Sequence, residues 1–183
     1  MSFMLLGILN SQASGGAAGA FDLLQTTTLG GNASTIQFNG LSSFSDYKHL
    51  QLRTVTRTNR GGTDASVKLR VNGDTNDSNY SGHELYAGFG EVNSYNNNAA
   101  FIAKTTGSVY AHYGVSVTDI LDFQNTSKFT TFRTFGGANG YQYMSINGMA
   151  FLNTNALTSL TITVGEGNSY IAGSRFSLYG TRG

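Results

Sequence analysis

From Phe21 to Gly180 the apolar residues recur at every second position, and this spacing restricts the fold more than any other property of the chain. Side chains alternate between the two faces of a strand but recur every 3.6 residues on a helix, so period two marks strands with one buried face. Val67, Leu69 and Val71 alternate with Lys68 and Arg70, and Leu50 and Leu52 with His49, Gln51 and Arg53. Leu160, Ile162 and Val164 follow the same pattern, as do Phe176 and Leu178 near the end. Helical spacing is nearly absent.

The alternation predicts strands over Phe21 to Thr28, Thr35 to Asn39, His49 to Thr58, Ser66 to Val71, Glu84 to Tyr86 and Phe101 to Lys104. Further strands are predicted over Val109 to Leu121, Phe129 to Phe135, Tyr141 to Leu152, Leu157 to Val164 and Ser174 to Gly180. In the longest, Val109, Ala111, Tyr113, Val115 and Val117 share one face, and Asp119 to Asp122 breaks the pattern as a bulge or strand end would. Asn72-Gly73 is a hairpin-type turn signal, because both residues tolerate positive φ. The stretches Asp74 to Ser81 and Asn93 to Asn98 read as polar loops. Short strands, Gly- and Asn-rich turns and no intervening helices predict an all-β antiparallel β-sandwich, and eight such strands make a jelly roll.

The chain divides once. Residues 1–20 form an apolar N-terminal tail: Phe3, Met4, Leu5, Leu6, Ile8 and Leu9 make an anchor, and Ser14 to Ala20 a small-residue tether. The anchor either folds back on its own domain or docks into a neighbouring subunit. It lacks the positive start of a secretory signal and falls far short of the ~20 residues that span a bilayer, so neither export nor membrane insertion is expected. Residues 21–183 form the sandwich.

With 11% charged residues and a formal charge of +1, the chain has no general basis for binding nucleic acid or an anionic membrane. Lys48, Arg53, Arg57, Arg60, Lys68 and Arg70 nevertheless fall within about two strands, as a solvated face or as a docking face for an acidic protein surface. Without cysteine there is no disulfide framework and no thiolate metal site. No nucleophile elbow, zinc helix or phosphate loop occurs, and His49, His83 and His112 lie singly on separate segments. Asp74 to Asn79 gathers oxygen ligands but misses the EF-hand template. Glu84, Glu91, Asp119 and Asp122 are the only supply for paired-carboxylate chemistry, and nothing in their spacing opposes them. The chain is therefore expected to be no enzyme, with no cofactor and no metal. Tyr80, Tyr86, Tyr95, Tyr110, Tyr141 and Tyr143 lie in or beside loops. With Asn96 and Asn97 as neighbours, Tyr80, Tyr86 and Tyr95 are candidates for subunit contact or sugar contact.

Several segments in fixed order carry a resemblance: Tyr47-Lys-His-Leu-Gln-Leu-Arg53, Arg70-Val-Asn-Gly-Asp-Thr75 leading to Asn79-Tyr80 and His83-Glu-Leu-Tyr86, Asp119-Ile-Leu-Asp-Phe-Gln-Asn-Thr126, and Ser174-Arg-Phe-Ser-Leu-Tyr-Gly180. Together they resemble a family of small virion proteins of tailed bacteriophages, of the aquatic and cyanophage type, over nearly the whole chain. The resemblance implies a place in the virion and carries no catalytic residues. The expectation is a capsid decoration, or cement, protein, a homotrimer bound to the major capsid protein or other virion proteins. The alternative is a tail fibre or spike module binding a host surface glycan.

Overall fold

The structure is a computed structural model that describes residues 20–88, 90–97, 100–138, 142–165 and 167–182. These form twelve strands: β1 (Asp22–Thr28), β2 (Thr35–Asn39), β3 (His49–Thr56), β4 (Asp64–Val71), β5 (Tyr80–Gly88), β6 (Glu91–Asn97), β7 (Phe101–Thr106), β8 (Gly114–Leu121), β9 (Thr130–Ala138), β10 (Tyr143–Phe151), β11 (Ser159–Val164) and β12 (Arg175–Thr181).

Eight of them pair in a nested order: β4 with β7, β3 with β8, β2 with β11 and β1 with β12, all antiparallel. That is one long hairpin rolled up, and it leaves two four-strand layers, β1-β12-β3-β8 and β2-β11-β4-β7. The protein is an antiparallel β-sandwich with jelly-roll strand order. The other four strands are two hairpins inserted between β4 and β7 and between β8 and β11. They lengthen the first layer beyond β8, in the order β9-β10-β5-β6.

The alternation is converted directly into the core between the layers. Leu50 and Leu52 from one layer meet Leu69, Leu160 and Ile162 from the other, with Phe176 and Leu178 closing the cluster, all buried. Each fully buried aliphatic or aromatic side chain contributes about 1.5–3 kcal/mol relative to exposure.

Three segments depart from the expectation. The Asn-rich stretch assigned to a loop is β6, an edge strand registered on β5 from Gly82 opposite Asn97 to Gly88 opposite Glu91. Strand preference depends on context, and a polar strand is a suitable sheet edge. β5 runs well beyond Glu84 to Tyr86, because its neighbour β10 pairs with it from Phe151 opposite Tyr80 to Met144 opposite Ala87. β8 begins only at Gly114. β7 and β8 belong to different layers, so residues 107–113 must cross the ~10 Å between sheets instead of extending the strand.

Candidate functional site

Beyond the part of the large sheet that the small one covers, the polarity of its faces reverses. Ser116, Thr118, Thr134, Ser145, Asn147 and Glu84 point inward and are buried. Each finds a partner: Thr118 and Thr134 share a 2.9 Å hydroxyl bond, the Asn147 amide donates to Ser145 Oγ at 3.1 Å, Ser116 pairs with the Thr54 hydroxyl at 2.8 Å, and Glu84 accepts from Tyr143. Only small side chains fit on part of this side, because β7 presses against it. A Cβ on Gly114 would lie 3.1 Å from the Thr105 Cα, and one on Gly136 would lie 3.3 Å from the Ala103 Cβ.

Phe132, Met149 and Phe151 of these strands still join the core, but a second set of bulky residues faces outward. Val115, Val117, Phe135, Met144, Ile146, Leu85 and Val92 are between 38% and 71% exposed. The register makes them continuous. Val117, Phe135, Ile146 and Leu85 stand opposite one another in turn across β8, β9, β10 and β5, and Met144, Ala87 and Val92 form the adjoining row. Val115 and Val117, read as sharing one face, do so, and that face is the outer one. An uncharged apolar face over five strands is the kind of surface that monomeric proteins seldom leave uncovered. At its margin, Arg133 donates to Asp119 at 2.7 Å. Partial burial pushes the Asp119 carboxyl up, but hydrogen bonds from Gln51 and Arg133 more than offset this and hold it below the usual range.

The opposite side of the extension carries a tyrosine-walled cavity of about 470 Å³. The rings of Tyr95, Tyr86 and Tyr143 stack across β6, β5 and β10, with centroids 5.6 and 5.1 Å apart and tilts of 11° and 22°. Below them the Tyr143 hydroxyl donates to Glu84, itself 5% exposed. Burial, then the Glu84 carboxyl that accepts its proton, push the Tyr143 hydroxyl far above the usual phenol range. Glu91 lines the same cavity, so the fold brings together two carboxyl groups that lie seven positions apart in sequence. Asp119 and Asp122 are elsewhere, paired with Arg133 and Lys128.

The six basic residues do not form one face. β3 and β4 belong to different layers, so their outward sides look in opposite directions. Arg53 lies 4.8 Å from the Phe21 ring centre and 4.3 Å from that of Tyr179 on the large sheet. On the small sheet Arg70 and Lys68 both reach Asp77, at 2.5 and 3.9 Å. Arg57 donates to the Ser108 carbonyl, Arg60 to Asp64, and Lys48 lines a cleft with Asp122 and Arg182.

Tyr80, expected in an exposed loop, is buried. Its hydroxyl accepts from the Val71 amide and donates to the Asp74 carbonyl, each at 3.1 Å. Tyr86 and Tyr95 are brought together. Asn96 pairs with His83 at 2.9 Å and reaches the cavity rim. Phe3, Met4, Leu5, Leu6, Ile8, Leu9, Tyr141 and the side chain of Asn97 lie outside the described residues. The Asp74 carboxyl oxygens accept from the Asn76 amide and the Asn79 side chain, so they cap the turn. Among the described residues no group of three or more metal-ligating side chains occurs, and no helix is long and apolar enough to cross a membrane.

The outward face was missed by reading one parity per strand. β10 carries the signal, since Met144 and Ile146 occupy one parity while Met149 and Phe151 occupy the other. A strand with apolar residues on both parities carries an apolar row on each face, and β10 keeps one side buried throughout. Glu84 carries no such mark, because its burial depends on Tyr143 in another hairpin.

Compared with known proteins, the chain matches no family model, no curated protein and no solved structure.

Proposed function

We propose that the protein is a structural component of a bacteriophage virion, a non-catalytic capsid decoration protein that stabilises the assembled shell through protein–protein contacts. The observation that carries this reading is the outward apolar face of β8, β9, β10, β5 and β6. A solitary protein gains nothing from it, whereas burying it against another subunit contributes about 25 cal/mol per Å² covered. A protein that contacts only the assembled shell stabilises that shell by mass action. The jelly-roll body offers a stiff support for such a contact, and the sequence segments quoted above favour the virion as its setting. In this reading the protein acts as a homotrimer, and the apolar segment from Phe3 to Leu9 is a second fastener to the major capsid protein or another virion protein.

The test is the position and copy number of the chain in intact particles, by electron cryomicroscopy and quantitative mass spectrometry. A position on the shell, in numbers matching the shell subunits, is expected. A few copies at the tail would place it in a fibre or spike instead, and absence from the particle would overturn the proposal. Removing residues 1–20 is expected to weaken attachment to particles that lack the protein.

A further inference from the structure

We propose that the tyrosine-walled cavity on the inner side of the extension binds one neutral sugar ring, as the exposed unit of a glycan. This goes beyond the structural role above and uses the opposite side of β5 and β10 from the apolar face, so both can be occupied together.

A pyranose has an apolar C–H face and a rim of hydroxyl donors. The cavity presents a complement to each. Tyr95 ends the aromatic stack and stays 55% exposed, while Tyr86 holds it flat at an 11° tilt. Phe101 of β7 lines the same cavity. The ring is thus offered a π surface that is already ordered, and ordering it on binding costs little. The Glu84 carboxyl sits directly opposite Tyr95 in the β5–β6 register, and Glu91 lies in the same wall. Carboxyl oxygens accept hydroxyl protons in strong hydrogen bonds. At about 470 Å³ the cavity falls within the range of small-molecule sites and holds a single sugar with its bound water.

Charge decides the class of sugar. Two carboxyl groups line the site, and the cation beside them, Lys104, is held by Asp64 at 2.8 Å. Like charges brought together at a binding surface repel, so sialic acids, sulfated sugars and nucleotides are disfavoured. A nucleobase would stack on Tyr95 equally well, but its phosphate would meet Glu84 and Glu91.

The experiment is saturation-transfer NMR and calorimetry on the full chain. The probes are the methyl glycosides of glucose, galactose and mannose, together with N-acetylglucosamine and N-acetylneuraminic acid. Saturable binding of at least one neutral sugar at millimolar Kd or tighter is expected, with no binding of N-acetylneuraminic acid. Tyr95→Ala, at an exposed edge-strand position, is expected to keep the fold and weaken binding at least about tenfold. Glu91→Gln is expected to weaken it less, and Phe135→Ser on the opposite face to leave it unchanged. Failure of every neutral sugar, tighter binding of the acidic sugar, or unaltered affinity in Tyr95→Ala would each overturn the proposal. None of these outcomes bears on where the chain sits in a particle.

Discussion

Two regions of the large sheet are made of similar strands and treat their side chains in opposite ways. In the region formed by β1, β12 and β3, apolar residues such as Leu52, Phe176 and Leu178 point toward the second layer, and Gln51 and Arg53 point away. At one end of β8, β9, β10 and β5, Ser116, Ser145, Asn147 and Glu84 point inward while Val117, Phe135, Met144 and Ile146 point to solvent, although the other end of β9 and β10 still sends Phe132, Met149 and Phe151 into the core. What differs is the covering. The first region lies under the second layer with room for large side chains, whereas β7 packs so closely on part of β8 and β9 that a Cβ on Gly114 would lie 3.1 Å from the Thr105 Cα and one on Gly136 3.3 Å from the Ala103 Cβ. A sheet's inside is therefore set by its neighbour, and an apolar row turned away from that neighbour marks a second one.

The comparison is most exposed to test at two phenylalanines. Phe176→Ala is expected to cost about 3–5 kcal/mol in denaturant unfolding, as deletion of a buried aromatic does. Phe135→Ala is expected to cost no more than about 0.5 kcal/mol in the isolated chain, as surface substitutions do. Equal costs would mean that Phe135 is already covered.

A smaller effect is expected from filling the tight contact with β7. Gly136→Val places new atoms against Ala103 and Ser116, and overpacking of this kind costs about 1–3 kcal/mol. A midpoint unchanged in thermal unfolding would show that β7 can retreat.

The inward polar network is expected to show non-additivity. Thr118→Val strands the Thr134 hydroxyl and is expected to cost about 1–2 kcal/mol, whereas the double variant Thr118→Val with Thr134→Val restores most of that loss. Simple addition of the two single costs would show that the hydroxyls act independently.

The smallest effect is expected in acid. Asp122 is held below the usual range by the Lys128 ammonium, and Asp119 by Gln51 and Arg133 once the opposing effect of burial is overcome. A carboxyl depressed in the folded state contributes stability above its unfolded value of about 4, and that contribution is lost as pH falls through the folded value. Arg133→Gln is expected to lower stability slightly near neutrality and to leave it unchanged at the acid end, which flattens the acid limb of a stability profile. An unchanged acid limb would remove Asp119 from the account.

Much of this architecture could be read from residue order. The segments around Leu50, Leu69, Leu160 and Phe176 show strict alternation, and their buried sides follow without ambiguity. The site was less legible. Tyr86 and Tyr95 were legible as accessible tyrosines, but Tyr80 resembles them in sequence and is buried because its hydroxyl closes the Asp74 turn. The six basic residues are clustered in sequence and split in space, because the chain changes layer between β3 and β4.

Alternation and turn chemistry alone establish a β-sandwich, since a period of two buries one face whatever lies opposite. Tertiary structure decides which face that is, which hairpins lengthen the large sheet, and that Glu84 meets Tyr143. Those outcomes depend on how closely a distant strand approaches, a distance that local residue order does not encode.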